Sequence, residues 1–305
     1  MGILLLVVNG IARANEIHIG SGRPDPTART RRLDLVSAFK PHPNVQGSRS
    51  EIPYIPASSW IGVLRHLLER YYDLPAQTPR IRRRGNEVII APIHECKTLD
   101  EILNCPVCKL FARRDVVAWF DDMEPLGTSY RVRSTREGEY VVYNEANQLV
   151  AQVFVKDEVV IPRDIEKTSI EPSQVGLQGE KPLSGKELVQ KGFRFEPIPR
   201  QVQVVSGIFK FSAKFDMTKL SFDDIKPFFI GLALLEERYV GRRGSRGYGR
   251  IEIDRLSFEL RGASYYEGGE PVKLEVEYKR PREVLANWKN LKKAYEDAVK
   301  KLTGS

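Results

Sequence analysis

The chain has 305 residues, of which 41% are hydrophobic and 29% are charged, and its formal net charge is +8. These values are typical of one large globular domain with insertions, or of two domains, and they exclude a largely disordered chain. The positive excess favours an acidic polymer such as a nucleic acid as partner, while the ion-pair-rich surface of a heat-adapted protein would give a similar composition.

Cysteine usage and hydropathy indicate where the protein works. Three cysteines, two of them in a Cys-x-x-Cys pair, suit metal binding in a reducing, cytoplasmic compartment better than a disulfide framework. The apolar run of residues 1–8 resembles a secretory signal, but it lacks a positively charged start and continues as strand-like sequence. We therefore interpret residues 2–13 as a buried first strand. No other apolar stretch approaches the ~20 residues of a membrane span, so no membrane partner is expected.

The next predicted elements are a long loop and a helix. The loop, rich in Gly, Pro, Arg and Thr, runs from Ser21 to about Ser50, and loops of this length are often functional. Ser58 and Ser59 are suitable N-caps for an amphipathic helix that ends near Tyr72. Its predicted apolar face comprises Leu64, Leu67, Leu68 and Tyr71.

The remaining elements complete a recognisable order. They are a strand at 116–120, a hairpin at 139–161, a polar insertion at 161–200, a strand at 208–215, a helix from Asp223 or Asp224 to about Tyr239, a strand at 251–260 and an amphipathic tail helix. Without insertions the order is strand, helix, strand, strand, helix, strand. This order predicts an α+β fold with a ferredoxin-like (RRM-like) core.

We divide the chain accordingly. Residues 1–75 and 201–262 are expected to form the core with its RNA-binding loops, and residues 76–122 a zinc-binding insertion plus one core strand. Residues 123–200 are expected to form a thumb-like or lid insertion. Residues 263–305 are expected to form a C-terminal amphipathic helix packed on the core.

One group of residues predicts a metal site. His94, Cys96, Cys105 and Cys108 include all three cysteines of the chain, and the Cys-x-x-Cys arm has the usual spacing of a zinc half-site. A site with four protein ligands would be structural, holding a loop that has little core of its own. The alternatives are small buried cysteines beside a surface histidine, and a redox-active Cys-x-x-Cys.

The segment 241–250, GRRGSRGYGR, predicts an anion-binding loop. It combines four glycines with four arginines between a predicted helix and a predicted strand. Glycine lets backbone N–H groups approach a phosphate, arginine adds bidentate hydrogen bonds, and Tyr248 could stack on a base. The segment matches neither a Walker loop nor a dinucleotide fingerprint. The alternative is a glycine C-cap followed by a basic turn.

Three motifs in this order resemble those of RAMP-superfamily proteins: IPASSWIGVLR at 55–65, CPVCKLF at 105–111, and residues 244–250. Over residues 16–260 the chain is most similar to the backbone subunit of type III-A CRISPR effector complexes. The resemblance implies a ferredoxin-like core and a helical filament of copies along a guide RNA, alongside other effector subunits. It also implies a thumb hairpin, here within 136–200, that wedges into the duplex of guide and target RNA.

RNA contacts are expected from four parts of the chain: the long loop, the first helix, the start of the thumb region and the glycine-rich segment. The expected residues are Ser21, Arg23, Ser59, Arg65, His66, Arg133, Arg136, Arg242, Arg243, Gly244, Arg246, Gly247, Tyr248 and Arg250. No base specificity is expected, because a filament subunit must leave the bases of the guide free to pair.

The resemblance also places a cleaving aspartate between the first strand and the first helix. Asp34, in RRLDLV at 31–36, is the candidate, and Asp25 is the fallback. A carboxylate there would assist attack of the RNA 2′-hydroxyl on the adjacent phosphate, by positioning Mg²⁺ or another divalent ion or by accepting a proton. The alternative for Asp34 is an ion pair with Arg31 or Arg32.

Two departures from the family pattern keep other functions open. Ile61 occupies a position where the family usually has lysine, and the residues after Asp34 differ from the usual Ser-Pro. A non-cleaving backbone subunit of a type I-D complex is one alternative. A metal-independent endoribonuclease that processes CRISPR repeats, with His18 or His42 as general base, is another. A basic structural or ribosome-associated protein that only scaffolds RNA is a third.

Overall fold

The computed structural model describes residues 3–19, 33–35, 38–76, 78–84, 87–111, 117–160, 169–170, 183–184, 198–241 and 247–303. The fold is α+β, as predicted, and is built on an 11-stranded mixed sheet. The strands are β1 Leu5–Ile17, β2 Leu33–Leu35, β3 Phe39–Pro41, β4 Val45–Gly47, β5 Glu51–Pro53, β6 Thr78–Arg84, β7 Glu87–Ile93, β8 Ala118–Phe120, β9 Glu124–Pro125, β10 Tyr130–Arg136, β11 Glu139–Asn144, β12 Leu149–Val160, β13 Ser169–Ile170, β14 Leu183–Ser184, β15 Ile198–Asp216, β16 Arg250–Arg261 and β17 Val272–Tyr278.

The helices lie between these strands and at the end of the chain. They are α1 Ala57–Tyr71, α2 Leu99–Asn104, α3 Cys108–Phe111, a 3₁₀ turn Phe222–Ile225, α4 Lys226–Leu235, α5 Ala263–Tyr266, α6 Pro281–Ala286 and α7 Trp288–Thr303. In the part of the chain that the structure describes, no helix combines the length and the apolar character needed to cross a membrane.

The main sheet has the order β17-β16-β1-β15-β12-β11-β10-β4, and β2, β8 and β9 pair with further stretches of β15. The predicted first strand is confirmed as β1, which runs antiparallel to both β15 and β16. At its C-terminal end β15 also pairs antiparallel with β8. The strands around the two main helices therefore lie in the order β16-β1-β15-β8.

Glycines at two positions let neighbouring strands and helices approach each other closely. A Cβ on Gly10 of β1 would lie 2.1 Å from the ring of Phe211 in β15. Likewise, a Cβ on Gly231 of α4 would lie 2.5 Å from Cδ2 of Leu64 in α1. Contacts this short are forbidden, so glycine at both positions allows the helices to pack on each other and the aromatic core to fill the space below the sheet.

The first helix differs from its prediction at both ends. Tyr71 was predicted on the apolar face, but it is 56% exposed because it lies in the last turn, beyond the buried Leu68. The predicted caps Ser58 and Ser59 are also wrong, since the helix begins at Ala57 and no serine side chain caps it. Instead, Asp122 Oδ1 accepts a hydrogen bond from the Ala57 N–H at 2.8 Å.

The second main helix is shorter than predicted. Ser221 and Asp224 form a capping box before the 3₁₀ turn, and α4 ends at Leu235 rather than near Tyr239. The chain must turn early because Tyr239 forms an isolated β-bridge with Arg250. The helix therefore ends where its chain begins to pair with the start of β16.

Residues 263–303 contain a strand as well as helices. β17 extends the sheet beside β16, and α7 then packs its aromatic side chain Trp288 against Phe222 and Phe229, at ring-centroid distances of 4.9 and 5.8 Å. The amphipathic tail helix is present. β17 was not predicted, although its sequence VKLEVEY alternates apolar and charged residues as a half-buried strand does.

We expect Asp122→Ala to lower the free energy of unfolding by about 1–2 kcal/mol, because it removes the N-cap of α1. It also removes one carboxylate partner of Lys40, which lies 2.9 Å from Asp122. Ser58→Ala is the matched control and should change stability by less than about 0.5 kcal/mol. Urea unfolding measures both, and a larger loss for the serine variant would show that the cap is assigned wrongly.

Candidate metal centre and nucleic-acid face

The four residues of the predicted metal site come together. One ligand atom from each of His94, Cys96, Cys105 and Cys108 lies within 4.8 Å of all the others. His94 Nε2 is 3.3 Å from the Cys96 sulfur and 3.4 Å from the Cys105 sulfur. His94 Nδ1 lies 3.1 Å from the Pro75 carbonyl oxygen, which can only accept, so Nδ1 carries the proton and Nε2 presents its lone pair to the cluster. Three sulfurs and one imidazole nitrogen suit a metal such as zinc.

One thiol of this cluster, that of Cys105, already favours the negative charge of a metal ligand, while burial raises the pKa of Cys96. A hydrogen bond from the Cys108 thiol, with further bonds from the N–H groups of Cys108 and Val107, lowers the pKa of Cys105 to about 4. The same sulfur–sulfur bond raises the pKa of Cys108. A bound cation would be shared by all the sulfurs and would favour the thiolate of each.

The segment that carries the cysteines has little core of its own. A capping box formed by Thr98 and Glu101 starts α2, yet no residue of α2 is buried. Burial resumes in α3, where the ring of Phe111 stacks on Phe120 at 5.4 Å. A metal ion at the cluster would therefore supply the cross-link that this short segment lacks.

Arg65, expected to bind RNA, is occupied within the protein. Its side chain is 20% exposed, and its Nε donates to Glu69 at 2.9 Å. Its Nη1 donates to the Phe111 carbonyl oxygen at 3.1 Å, and its Nη2 to the His94 carbonyl oxygen at 2.6 Å. Arg65 therefore links both ends of the segment 94–111 to α1. His66, the next residue, has a 63% exposed side chain, and its Nδ1 lies 3.8 Å from Glu69 Oε2.

The glycine-rich segment is held at a narrow neck, by which we mean residues 239–241 and 247–250. The Val240 N–H donates to the Gly249 carbonyl oxygen at 2.8 Å, and the Gly249 N–H donates to the Glu16 carbonyl oxygen at 3.1 Å. Gly241 and Gly249 have φ values of +92° and +89°, and a Cβ on either would lie within 2.3 Å of a backbone oxygen. Only glycine permits this close approach of neck and β1.

The neck lies at the C-terminal end of β1, where the backbone is irregular. Glu16 has a φ of 51°, and the register between β1 and β15 shifts between Ala14 and Ile17. The Glu16 N–H donates to Ser206 Oγ at 2.8 Å rather than to a backbone carbonyl oxygen of the neighbouring strand. Strained residues of this kind persist where the surrounding structure fixes them, and they concentrate at functional sites.

The strand that carries Asp34 lies close to this neck. Beyond the end of β1, β2 takes its place along β15, with Leu33 paired to Gln201 and Leu35 to Val202. Tyr248 of the neck packs against Val202 in a small apolar cluster. Residue 34 and the glycine-rich segment are thus brought together at one end of β1.

Tyr248 itself is not placed to stack on a base. Its side chain is only 8% exposed and packs with Val202, Val204 and Phe154. The Lys156 ammonium lies over the ring at 5.3 Å from its centre. The ring therefore anchors the neck to β12 and β15.

The other predicted contacts are distributed over the surface. Arg133 and Arg136 are exposed on β10, which is four strands from β1 and hence about 19 Å away. Gly247 and Arg250 are exposed at the neck, and Ser59 is half-buried in α1. The remaining predicted residues, Ser21, Arg23, Asp25, Arg242, Arg243, Gly244 and Arg246, and the side chain of Asp34, lie outside the described residues.

Neither histidine proposed as a general base is free at the surface. His18 is fully buried, with Nδ1 2.8 Å from the Gln203 carbonyl oxygen. His42 accepts a hydrogen bond from the Asn44 N–H at 3.2 Å and packs edge-on against Tyr130.

Sequence reasoning predicted Arg133 but missed Arg131 and the aromatic neighbour that the two share, Tyr143. Arg131 and Arg133 are exposed on β10, and the guanidinium group of each lies close to the Tyr143 ring. Alternation of apolar and basic residues over 130–133 was the available signal for a strand.

The amino-acid sequence of this chain is similar to a known protein family and to two named proteins. The model of the RAMP superfamily matches residues 15–252. The CRISPR system Cms endoribonuclease Csm3 of Methanocaldococcus jannaschii is 28% identical over 221 residues, covering 72% of this chain and 71% of that protein. The protein of the same description from Methanothermobacter thermautotrophicus is 25% identical over 227 residues, covering 74% and 78%.

Two chains from solved structures are also similar to this chain, at lower sequence identity. A chain of the Csm3–Csm4 subcomplex of the type III-A CRISPR-Cas interference complex has a TM-score of 0.44 and 19% identity, covering 95% of this chain and 97% of that one. A chain of the type III-B Cmr-beta complex bound to cognate target RNA has a TM-score of 0.44 and 16% identity, covering 83% and 60%.

We expect the purified protein to contain about one zinc ion per chain, and Cys105→Ser to contain almost none, because the variant removes one of four ligands. Elemental analysis measures the metal content. Limited proteolysis should then show preferential cleavage within 94–111 in the variant. Asn104→Ser, in the same segment, is the matched control and should retain its zinc. Wild-type protein that carries no zinc after growth in zinc-supplemented medium would contradict the assignment.

Arg65→Ala should lower the free energy of unfolding by about 2–3 kcal/mol, since it breaks hydrogen bonds from a charged group to two largely covered carbonyl oxygens. It should also speed the loss of zinc to a chelator. Arg70→Ala, an exposed position on the same helix, should do neither. If Arg65→Ala kept its stability but lost affinity for RNA, Arg65 would instead be a phosphate ligand.

Proposed function

The chain belongs to the RAMP superfamily, and we propose that it is the backbone subunit of a type III CRISPR effector complex. In this role it would bind guide RNA along the sugar–phosphate backbone, assemble with copies of itself and with other effector subunits in the cytoplasm, and cleave bound target RNA. Two relatives of similar length that are named as CRISPR endoribonucleases support the assignment.

The fold supports a ferredoxin-like core within this chain. Such a core has two helices on one face of a four-stranded antiparallel sheet. The strand order β16-β1-β15-β8, together with the contact between α1 and α4, supports this arrangement. The segment 94–111 would be the zinc-bound insertion. The long ribbon of β12 and β15, paired from Gly207 to Ile198, would be the base of the thumb.

One observation carries the proposal: the neck of the glycine-rich segment and the strand of Asp34 meet at the C-terminal end of β1. The first offers arginines and glycine N–H groups that suit phosphate oxygens. The second offers a carboxylate in the part of the chain where the family has its cleaving residue. Phosphate binding and a carboxylate side by side are what cleavage of an RNA backbone requires.

The chemistry proposed for this site is transesterification. The 2′-hydroxyl of the target RNA attacks the adjacent phosphorus, and Asp34 accepts its proton or holds a divalent ion near the phosphate. The bond from phosphorus to the 5′ oxygen of the next nucleotide breaks, and that oxygen takes a proton from water, which leaves a 2′,3′-cyclic phosphate and a 5′-hydroxyl end. Such an ion, when bound, stabilises the charge that develops on the phosphate oxygens. Arg250 and the arginines of 242–246 hold the RNA backbone in register.

We expect an assembled complex that contains Asp34→Ala to bind guide and target RNA normally but to cleave target RNA at least about 100-fold more slowly in Mg²⁺. Gel analysis of a labelled complementary RNA measures cleavage, and filter binding measures affinity. Asp297→Ala, an exposed residue of α7, is the matched control.

Two results would change the assignment. If Asp25→Ala stopped cleavage and Asp34→Ala did not, Asp25 would be the cleaving residue. If wild-type complex bound target RNA but never cut it, the chain would be a non-cleaving backbone subunit of the type I-D kind.

A further inference from the structure

A second basic surface lies on the exposed face of β10, β11 and β12. In β10, Tyr130 and Val132 are buried while Arg131 and Arg133 are exposed, as alternation along a strand requires. Arg131 is paired in register with Tyr143 of β11. The guanidinium carbons of Arg131 and Arg133 lie 5.7 and 5.8 Å from the centre of the Tyr143 ring. Two cations of β10 therefore lie close to one aromatic ring of β11.

The positive charge of this surface has no acidic partner among the described residues. Arg131 donates to the amide oxygen of Asn147, and neither Arg131 nor Arg133 forms an ion pair. Glu145, the nearby carboxylate, accepts instead from the N–H groups of Thr128 and Ser129, which lower its pKa. Arg255, by contrast, is exposed and forms an ion pair with Glu277. The two guanidinium groups thus keep their capacity to bind an anion.

An aliphatic and an amide side chain of β12 extend this surface. Leu149 of β12, 52% exposed, pairs in register with Tyr143, and the exposed Gln152 pairs with Val141. We call the set Arg131, Arg133, Val141, Tyr143, Leu149 and Gln152 the β10–β12 face. An aromatic ring and guanidinium planes on an exposed sheet are the groups on which unpaired bases stack, and the guanidinium groups also bind phosphate.

This face is continuous with the glycine-rich segment. Beyond Gln152, the same side of β12 presents Phe154, which packs with Tyr248 of the neck, and Lys156, which lies over the Tyr248 ring. The distance from β10 to β12 is only about 10 Å, or two strand spacings. A strand of RNA held at the neck can therefore continue across the β10–β12 face.

From these observations we infer that the β10–β12 face is a stacking and phosphate-binding platform for single-stranded RNA, with Tyr143 as its stacking residue and Arg131 and Arg133 as its phosphate ligands. The inference rests on the proposed function, because it extends the RNA path that begins at the neck. Arg131 and Tyr143 contribute to RNA affinity independently of the cleavage site.

The test uses the full chain and a short, unstructured, fluorescent single-stranded RNA, with affinity measured by anisotropy at several salt concentrations. Arg131→Ala/Arg133→Ala should weaken binding and reduce the salt slope of log K by about 1.4, which corresponds to two lost phosphate contacts on a single strand. Tyr143→Leu keeps the apolar bulk but should weaken binding about tenfold with the slope unchanged. Arg131→Lys/Arg133→Lys should retain the slope.

The matched control is Lys289→Ala/Lys293→Ala, which removes two exposed charges from α7, away from the sheet face. It should leave affinity within about twofold, since exposed charges far from a ligand are screened. Circular dichroism confirms that all variants are folded.

Three outcomes overturn the inference, and they separate it from the proposed function. If the platform variants match the lysine control while Arg242→Ala/Arg243→Ala weakens binding, the platform is refuted and the neck stands. If wild-type protein does not bind the RNA, both proposals fail. If the platform variants bind RNA normally but lose self-association in light scattering, the face is a protein contact and not an RNA platform.

Discussion

The backbone pairing of β15 along both of its edges fixes the positions of the other parts of this protein. On one edge it binds β1 and then β2, and on the other it binds β12. Register in a ladder is set residue by residue, since a slip of one position would turn every side chain to the opposite face. The end of β1, the strand of Asp34 and the base of the β12 ribbon are therefore held in one fixed arrangement.

The irregular backbone at the end of β1 depends on this fixed arrangement. Glu16 has a left-handed φ, and its N–H and carbonyl bond to Ser206 and Gly249. Such a conformation costs about 1–3 kcal/mol and persists only where neighbours enforce it. The backbone hydrogen bonds of the neck offset this cost, and Gly241 and Gly249 allow the backbone segments to come close enough to form them.

Periodicity and local spacing predicted the parts of the fold that depend on neighbours in sequence. β1, α1 and β16 follow from alternation or helical spacing, and the quartet of His94 and three cysteines follows from ligand type within a short segment. Contacts between distant residues could not be predicted. Asp122 caps a helix that begins at Ala57, and Arg65 bonds to the carbonyl of His94. The sequence shows a carboxylate and a guanidinium but not the groups that they meet.

The same limit applies to charge. A net charge of +8 suggests an anionic partner but does not indicate which cations bind it. Arg65 would have to break three hydrogen bonds to reach a phosphate, and for a covered guanidinium that loss exceeds the gain from one exposed contact. Arg131 and Arg133 have no ion pair to lose among the described residues. Which basic residues can bind an anion is therefore determined by where internal partners are missing, and not by how many basic residues the chain contains.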